Sequence, residues 1–332
     1  MVLDRLGRPL RDLRISVIDN CNFRCTYCMP RERFPEDYAF LKQDDLLKFT
    51  EILRLVGAFR QLGLKKVKIT GGEPLLRPLV SELVGSLKSN FPELEVGLIT
   101  NGLHLKPLLN RLKSNGLDQI TVSLDALDPE RFAAITGNGH RVQTIVDAIE
   151  AAAEIFPLVK VNTVLIKGQN DDQVEVLAQY FRRPGFALRF IEYMDVGNLN
   201  GWRRDLVVPE SEVLSRLSRL GVLSPLPKRH AGETATRWGW MEGGEVGFIS
   251  SITQPFCGDC SRARLSADGK LYTCLFAKRG WDLRAPLRSG ADESRLAEVL
   301  NTVWSGRTDQ YSELRERLRD PEKKIEMFAI GG

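Results

Sequence analysis

Cys21, Cys25 and Cys28 stand in the run Cys-Asn-Phe-Arg-Cys-Thr-Tyr-Cys, a C-x3-C-x2-C spacing. Thiolates this close together can wrap one face of an iron–sulfur cube. Three cysteines satisfy three of its irons and leave the fourth open, and an open metal position is where chemistry happens rather than electron storage alone. The competing readings are a zinc knot or three buried apolar thiols. Zinc would ask for a fourth Cys or His close by, and no histidine precedes His104. A second triplet, Cys257, Cys260 and Cys274, has the spacing C-x2-C-x13-C, with Arg262 and Arg264 just inside it. A zinc ribbon short of one ligand competes there, His230 being the nearest histidine and well upstream. A second cluster with another open iron fits better. These two groups use all six cysteines of the chain.

Thr70-Gly71-Gly72-Glu73-Pro74 is the next chemical signal. Glycines let the backbone approach a ligand with no Cβ in the way. Glu73 adds a carboxylate beside backbone acceptors, a match for a ligand ammonium group. A glycine pair closing a strand is by itself more often a plain turn; the cysteine triplet makes the ligand reading the stronger one.

The elements that must position these residues alternate. Strands are expected at 13–18, 66–70, 95–99, 120–124, 160–166 and 187–193, from β-branched and apolar runs. Helices are expected at 44–62, 79–89, 105–115, 142–156 and 173–183, from the 3.6-residue apolar period and from stops such as Gly116 and Pro157. Six strands separated by helices require a parallel sheet with crossovers. The expected class is α/β: a partial (βα)6 barrel of the TIM type over residues 1–200, with a C-terminal cluster-binding extension over 201–332. Site residues then belong on the loops after the strands, where Cys21–Cys28, Gly71–Pro74, Asn101, Asp125 and Met194 all fall. Beyond residue 200, helices are expected at 209–220 and 291–304, hairpins at 225–252, and a solvated segment at 313–326. The chain shows no internal repeat.

Composition bounds the function. The chain has 332 residues, 43% of them hydrophobic, enough for a sizeable core. Its net charge of +4 is too weak a bias to argue for nucleic acid. The N-terminus has no apolar h-region, and no apolar run reaches membrane-spanning length, so a soluble cytoplasmic protein is expected, without membrane or nucleic-acid partners. In that compartment cysteines serve as metal ligands or catalysts more often than as disulfides.

The C-x3-C-x2-C triplet followed by Gly-Gly-Glu-Pro resembles the radical S-adenosylmethionine (SAM) superfamily. The run from Phe256 to Phe276 around the second triplet is similar to the GTP 3′,8-cyclase family of molybdenum cofactor biosynthesis. So are Asp12–Ser16, Val122–Ala126, Val159–Asn162, Arg189–Gly197 and the terminal Gly331-Gly332. The resemblance covers nearly the whole chain. It implies two [4Fe-4S] clusters on Cys21/Cys25/Cys28 and Cys257/Cys260/Cys274. It also implies SAM bound through Tyr27, Gly72, Ser123 and Met194, and GTP bound through Arg14, Lys68, Lys160, Arg262 and Arg264. The implied reaction is that of a lyase. A 5′-deoxyadenosyl radical takes the ribose 3′ hydrogen of GTP, and C3′ closes onto C8 to give (8S)-3′,8-cyclo-7,8-dihydroguanosine 5′-triphosphate. An external electron donor and a functional link to cyclic pyranopterin monophosphate synthase are implied too; the oligomeric state, a homodimer among the options, stays open.

Charge chemistry supports the GTP group separately. A triphosphate is bound by Arg and Lys from several elements, and Arg14 and Lys160 lie on predicted strands, where a charge needs a partner. Three positions depart from the family pattern. Lys68 stands where Arg is common and loses the planar fork. Ile99 stands where Thr is common, so no hydroxyl contact is carried over. Asn20 replaces the usual Arg, with no clear consequence. The Gly-Gly tail could be functionless, or resemble a ubiquitin-like carrier tail, or reach toward the site; the last is expected, because Gly-Gly is thin enough for a crowded pocket. Two rivals remain: a different radical SAM enzyme with an auxiliary cluster, such as a peptide modifier, or a non-enzymatic electron carrier. Peptide modifiers commonly carry more C-terminal cysteines, and a carrier would not need Gly71-Gly72-Glu73.

Overall fold

The computed structural model describes residues 1–332 except 138, 231, 318–322 and 332. Strands and helices alternate from the start: β1 (Asp12–Ser16), α1 (Phe49–Gln61), β2 (Lys66–Thr70), α2 (Val80–Asn90), β3 (Glu95–Thr100), α3 (Leu109–Ser114) and β4 (Gln119–Ser123). Then come α4 (Pro129–Thr136), α5 (Val142–Ala153), β5 (Val159–Leu165), α6 (Val174–Phe181) and β6 (Phe186–Glu192). β1 to β6 pair in sequence order, all parallel.

The C-terminal third extends this sheet on both flanks. After α7 (Glu210–Leu217), the meander β7 (Leu223–Leu226), β8 (Thr236–Trp240) and β9 (Glu245–Ile249) joins β6, with β9 parallel to it. β10 (Arg262–Leu265) adds to β1 in parallel, followed by antiparallel β11 (Lys270–Tyr272) and β12 (Trp281–Asp282). Last come α8 (Arg284–Arg288), α9 (Glu293–Ser305), which packs on α1, and α10 (Tyr311–Leu314). The order is β12-β11-β10-β1-β2-β3-β4-β5-β6-β9-β8-β7, and among the described residues its two ends do not pair. The expected six-unit partial barrel is therefore the middle of a longer open sheet.

Alternation along the strands decides what lies inside the curve. Leu13, Ile15, Val67, Ile69, Val96, Leu98, Ile120, Val122, Val159 and Val161 are buried with the helices in one continuous core. The residues between them, Arg14, Lys68, Thr121, Asn162 and Arg189, line a cavity instead. An ordinary barrel of this type fills its interior with branched apolar side chains. A charged interior face marks a curved sheet built to hold something.

Several expected elements change. The helix expected at 44–62 breaks into a short 3-10 turn, Gln43–Asp45, and α1. Leu46 is extended, and the Leu47 N–H donates to Ala267 O at 2.8 Å, so the chain leaves the helical path to pair with the C-terminal region. The helix expected at 105–115 starts as a 3-10 turn at Lys106–Leu108 and becomes α3 only afterwards. Helix α4 has no counterpart among the expected elements, although Asp128 caps it by accepting from Arg131 N and Pro129 occupies its first position.

The stretch expected to be solvated at 313–326 is tied down at both ends. Arg315 Nε donates to Asp195 Oδ1 at 2.9 Å and Lys324 Nζ to Asp195 Oδ2 at 2.8 Å. Tyr311 also donates its hydroxyl to Asp195 at 2.5 Å, and stacks on Phe276 with ring centroids 4.3 Å apart. Asp195, just past β6, is thus the anchor of the C-terminal strap. Burial pushes its carboxyl up, but the bonds from Lys324 and Tyr311 and the charge of Arg315 outweigh this and hold it below the usual range. D195N should cost about 1–3 kcal/mol locally and make the strap a preferred cleavage site in limited proteolysis. An unchanged digestion pattern would show that Asp195 is not the anchor.

Candidate functional site

The two cysteine triplets, far apart in sequence, line one cavity of about 280 Å³ at the C-terminal ends of the strands. The first loop follows β1 and is held from two sides. Arg24 donates from Nη1 to the carbonyls of Cys21 (2.6 Å) and Phe23 (3.0 Å), and from Nε to Phe34 O (2.8 Å). On the other side the end of α4 accepts Arg24 N at Thr136 O and Thr26 N at Ile135 O. Gly137 ends α4 at φ 62°, where a Cβ would lie 2.6 Å from Arg24 O. The helix that sequence reading missed is therefore a support of the cysteine loop.

Burial pushes the Cys21 thiol up to about 12, and those of Cys25 and Cys28 up as well. Thiols in such a dry place ionise only if a bound metal compensates. The residues fit a cluster in this respect, and Thr26 Oγ1 and Asn22 Nδ2 are buried beside them without hydrogen-bond partners among the described residues.

Gly71 and Gly72 have a packing role beside the expected one. A Cβ at Gly71 would overlap the Ile18 carbonyl and one at Gly72 the Asn20 carbonyl. Their lack of side chains lets the β2 loop lie on the backbone that enters the cysteine loop, with Gly72 N donating to Ile18 O and Glu73 N to Asn20 O. Asn20 contributes to this packing through its carbonyl. The Glu73 carboxylate is engaged within the protein: it accepts from Leu75 N (2.9 Å), Thr100 Oγ1 (2.7 Å) and Asn101 N (2.7 Å). Burial raises it to about 7. It braces the β2 and β3 loops, and its neighbouring glycines still face the cavity.

Tyr27, Gly72, Ser123 and Met194 all line the cavity. The Tyr27 hydroxyl donates to Asp125 Oδ2 at 2.7 Å, and Asp125 also accepts Val164 N at 2.8 Å, joining the cysteine loop to β4 and β5. Asn200 Nδ2 donates to the Met194 carbonyl at 3.0 Å. Ile99 gives the same wall an apolar patch.

The second triplet closes the opposite wall. Cys257 begins a 3-10 turn, Cys257–Asp259, and Cys274 follows β11. Burial raises Cys274 to about 12. Burial also acts upward on Cys260, but the Arg262 and Arg307 guanidiniums outweigh it and bring that thiol down to about 6. Among the described residues no three Cys, His, Asp or Glu side chains gather as a site for a single metal ion; a cube of irons holds its thiolates further apart than one ion does.

Register builds the floor between the walls. Arg14 pairs with Arg264 on one side and Lys68 on the other, so three cations stand side by side on adjacent parallel strands. Burial, and then neighbouring cations, lowers all three: Arg262 acts on Arg14, which falls to about 10, and Arg14 acts on Lys68 and Arg264. Packing like charges away from water is costly unless an anion joins them. Three polar atoms facing this space lack partners among the described residues: Arg189 Nε, Arg262 Nε and Asn162 Oδ1. Arg189 and Asn162 were not singled out by sequence reading, although both sit in inward-facing register on their strands. Lys160 lies off the cavity wall. It donates to Gln119 Oε1 at 2.7 Å, as does Lys66 at 3.0 Å, one layer below the floor. Burial, then Arg189 and Lys66, bring Lys160 down to about 7.

The tail reaches this floor. Arg264 Nη1 donates to the carbonyls of Gly331 and, at 3.4 Å, Ile330. Gly332 lies outside the described residues.

A parallel α/β sheet with a three-cysteine loop after its first strand and a Gly-Gly-Glu loop after its second defines a radical SAM protein, and the chain belongs to that superfamily. Residues 15–181 match the family described as Radical SAM superfamily, and residues 186–313 match Molybdenum Cofactor Synthesis C. Among solved structures the fold is shared with Streptococcus suis SuiB bound to S-adenosylmethionine, at TM-score 0.62 and 14% identity, covering 97% of this chain and 77% of that one. The chain is 48% identical to the GTP 3′,8-cyclase of Acidothermus cellulolyticus, over 100% of this chain and 94% of that protein. It is 46% identical to the GTP 3′,8-cyclase of Xanthomonas campestris, over 99% and 97%. Within the superfamily it therefore belongs to the GTP 3′,8-cyclases. No helix among the described residues is long and apolar enough to cross a membrane.

Proposed function

We propose that the chain is a lyase that cyclises GTP between C3′ and C8, with two [4Fe-4S] clusters. Cys21, Cys25 and Cys28 would hold the first cluster, and Cys257, Cys260 and Cys274 the second. Residues 1–200 form the radical-generating unit and 201–332 the extension carrying the second site. The observation that carries this reading is the row Arg264–Arg14–Lys68 lying between the two cysteine walls.

When bound, the first cluster and SAM supply the radical that removes the ribose 3′ hydrogen. The protein's part is position and exclusion of water. Tyr27, Gly72, Ser123 and Met194 line the SAM side; Tyr27 stays fixed through Asp125. Arg14, Lys68, Arg262 and Arg264 receive the triphosphate, with Arg189 as a further cation and Lys160 beneath it. The product passes to cyclic pyranopterin monophosphate synthase; an external donor supplies the electron, and the setting is cytoplasmic. Anaerobic incubation with SAM, a reductant and GTP tests the reading. It should give 5′-deoxyadenosine with matching loss of GTP; intact GTP with no 5′-deoxyadenosine would reject it.

Lys160 gives a pH prediction. Its folded pKa, about 7, lies below the ordinary lysine value because of burial. A bound triphosphate favours the ammonium form, so binding above pH 7 takes up protons and affinity falls as pH rises. Calorimetry at pH 8 in two buffers of different ionisation heat should detect the uptake. K160M should reduce it and weaken GTP about tenfold. Equal uptake in both proteins would remove Lys160 from the site.

A further inference from the structure

A buried ionic clamp joins the two ends of the chain at the second cysteine loop, and its arginines Arg8 and Arg307 reach the cavity wall. Asp4 accepts from Arg8 Nε at 2.6 Å and from Arg307 Nη1 at 3.4 Å. The side chains of Arg8 and Arg307 are 2% exposed and that of Asp4 0%. Each arginine then reaches the cysteine loop. Arg8 Nη1 donates to Cys257 O (2.8 Å) and Asp309 O (2.7 Å). Arg307 donates from Nη1 to Cys260 O (2.7 Å) and from Nη2 to Cys260 Sγ (3.4 Å). Arg307 Nε also binds Asp309 Oδ2 at 3.1 Å, and its guanidinium lies over the Trp304 ring, 4.7 Å from the centroid. Trp304 Nε1 in turn donates to Arg8 O at 3.0 Å. The planar fork is fixed on every side.

Arg262 Nη2 donates to the same sulfur at 3.3 Å. Cys260 Sγ therefore meets two cationic N–H donors. The first triplet differs: Cys21 Sγ meets the Phe23 amide at 3.4 Å and the Asn101 amide at 3.9 Å, both neutral. Reducing a cluster by one electron adds negative charge that is shared with its thiolates. Donors and positive charge at sulfur stabilise that state and raise the potential.

We propose that Arg307 is a positioning residue that holds the C-terminal cluster at a higher reduction potential than the N-terminal one, by gripping the carbonyl and the sulfur of Cys260 with one fork. Asp4 and Arg8 act through it by fixing its orientation. A lysine keeps the charge but cannot grip both atoms. The inference rests on the reading that Cys257, Cys260 and Cys274 hold a cluster.

The test is an anaerobic redox titration of the reconstituted full-length chain with dithionite, followed by EPR. The C257A/C260A/C274A variant assigns each signal to its cluster. In R307Q the ratio of reduced to oxidised C-terminal cluster at the wild-type midpoint should fall at least tenfold, 59 mV for one electron. The N-terminal signal should stay in place. R307K should shift the same cluster in the same direction by less. If R307Q fails to retain iron, R307K carries the test. Full iron content with an unmoved C-terminal potential in the variant measured, or an equal shift of both clusters, would overturn the inference. A wild-type protein whose iron and EPR spectrum are unaffected by C257A/C260A/C274A would instead overturn the second cluster itself.

Discussion

Replacing Cys257, Cys260 and Cys274 together by alanine is expected to abolish cyclisation while leaving SAM cleavage intact. Iron in the reconstituted protein should fall from about eight to about four per chain. The two walls of the cavity are supported independently: the first cysteine loop by Arg24 and the end of α4, the second by Arg8 and Arg307. Losing one cluster should therefore not empty the other. On the proposed reading, GTP without the second wall would keep phosphate contacts on β10, β1 and β2 but lose the open iron of the second cluster on the opposite side. Misplacing a reacting atom by about 1 Å can cost a hundredfold in rate, and the loss of a whole wall should cost more, to below detection. SAM would still be cleaved to 5′-deoxyadenosine, uncoupled from GTP loss. The converse replacement, at Cys21, Cys25 and Cys28, should abolish 5′-deoxyadenosine altogether. Coupled turnover surviving the C-terminal replacement would mean that the second triplet has no part in the reaction.

The parts of this arrangement that sequence revealed are those with a local signal. Cys21, Cys25 and Cys28 are close neighbours in the chain, and Gly71–Glu73 follows a strand whose β-branched residues are plain. Both landed on one rim because loops after parallel strands do so. Arg14 and Lys68 were legible as charges on strands, but their pairing with Arg264 depends on β10 joining β1 across nearly the whole chain. No local pattern encodes that contact. The same holds for Arg307, which reads as a surface residue after a helix yet is buried by contacts to Asp4 and Cys260. Lys160 shows what local pattern leaves open. Its strand and inward face were legible, but depth along the strand was not, and it sits one layer below the cavity wall. Gly71 and Gly72 were legible as positions of close approach, but not that the Ile18–Asn20 backbone also packs on them.

Gly331 tests whether the tail belongs to the site or merely lies on it. The strap leading to it is anchored by Asp195 through Tyr311, Arg315 and Lys324, and Phe328 packs against Phe34 with centroids 5.1 Å apart. Gly331 then turns at φ 68°, and a Cβ there would lie 2.5 Å from Thr70 Cγ2. Two penalties coincide in G331A: a left-handed backbone that costs about 1 kcal/mol or more for alanine, and an overlap with a buried side chain that cannot retreat. Because the strap is held upstream, the last residues must shift instead, and the Gly331 carbonyl leaves Arg264. That guanidinium sits in the row of three cations, so its displacement would move the floor on which GTP is proposed to rest. G331A should lower GTP cyclisation roughly a hundredfold, with iron content and SAM binding unchanged. Gly290 is the matched control, with φ 94° and no described atom within 4 Å of an added methyl. G290A carries the backbone strain alone and should leave turnover at the wild-type rate. Equal turnover in G331A and G290A would make the tail a passenger and detach Arg264 from it.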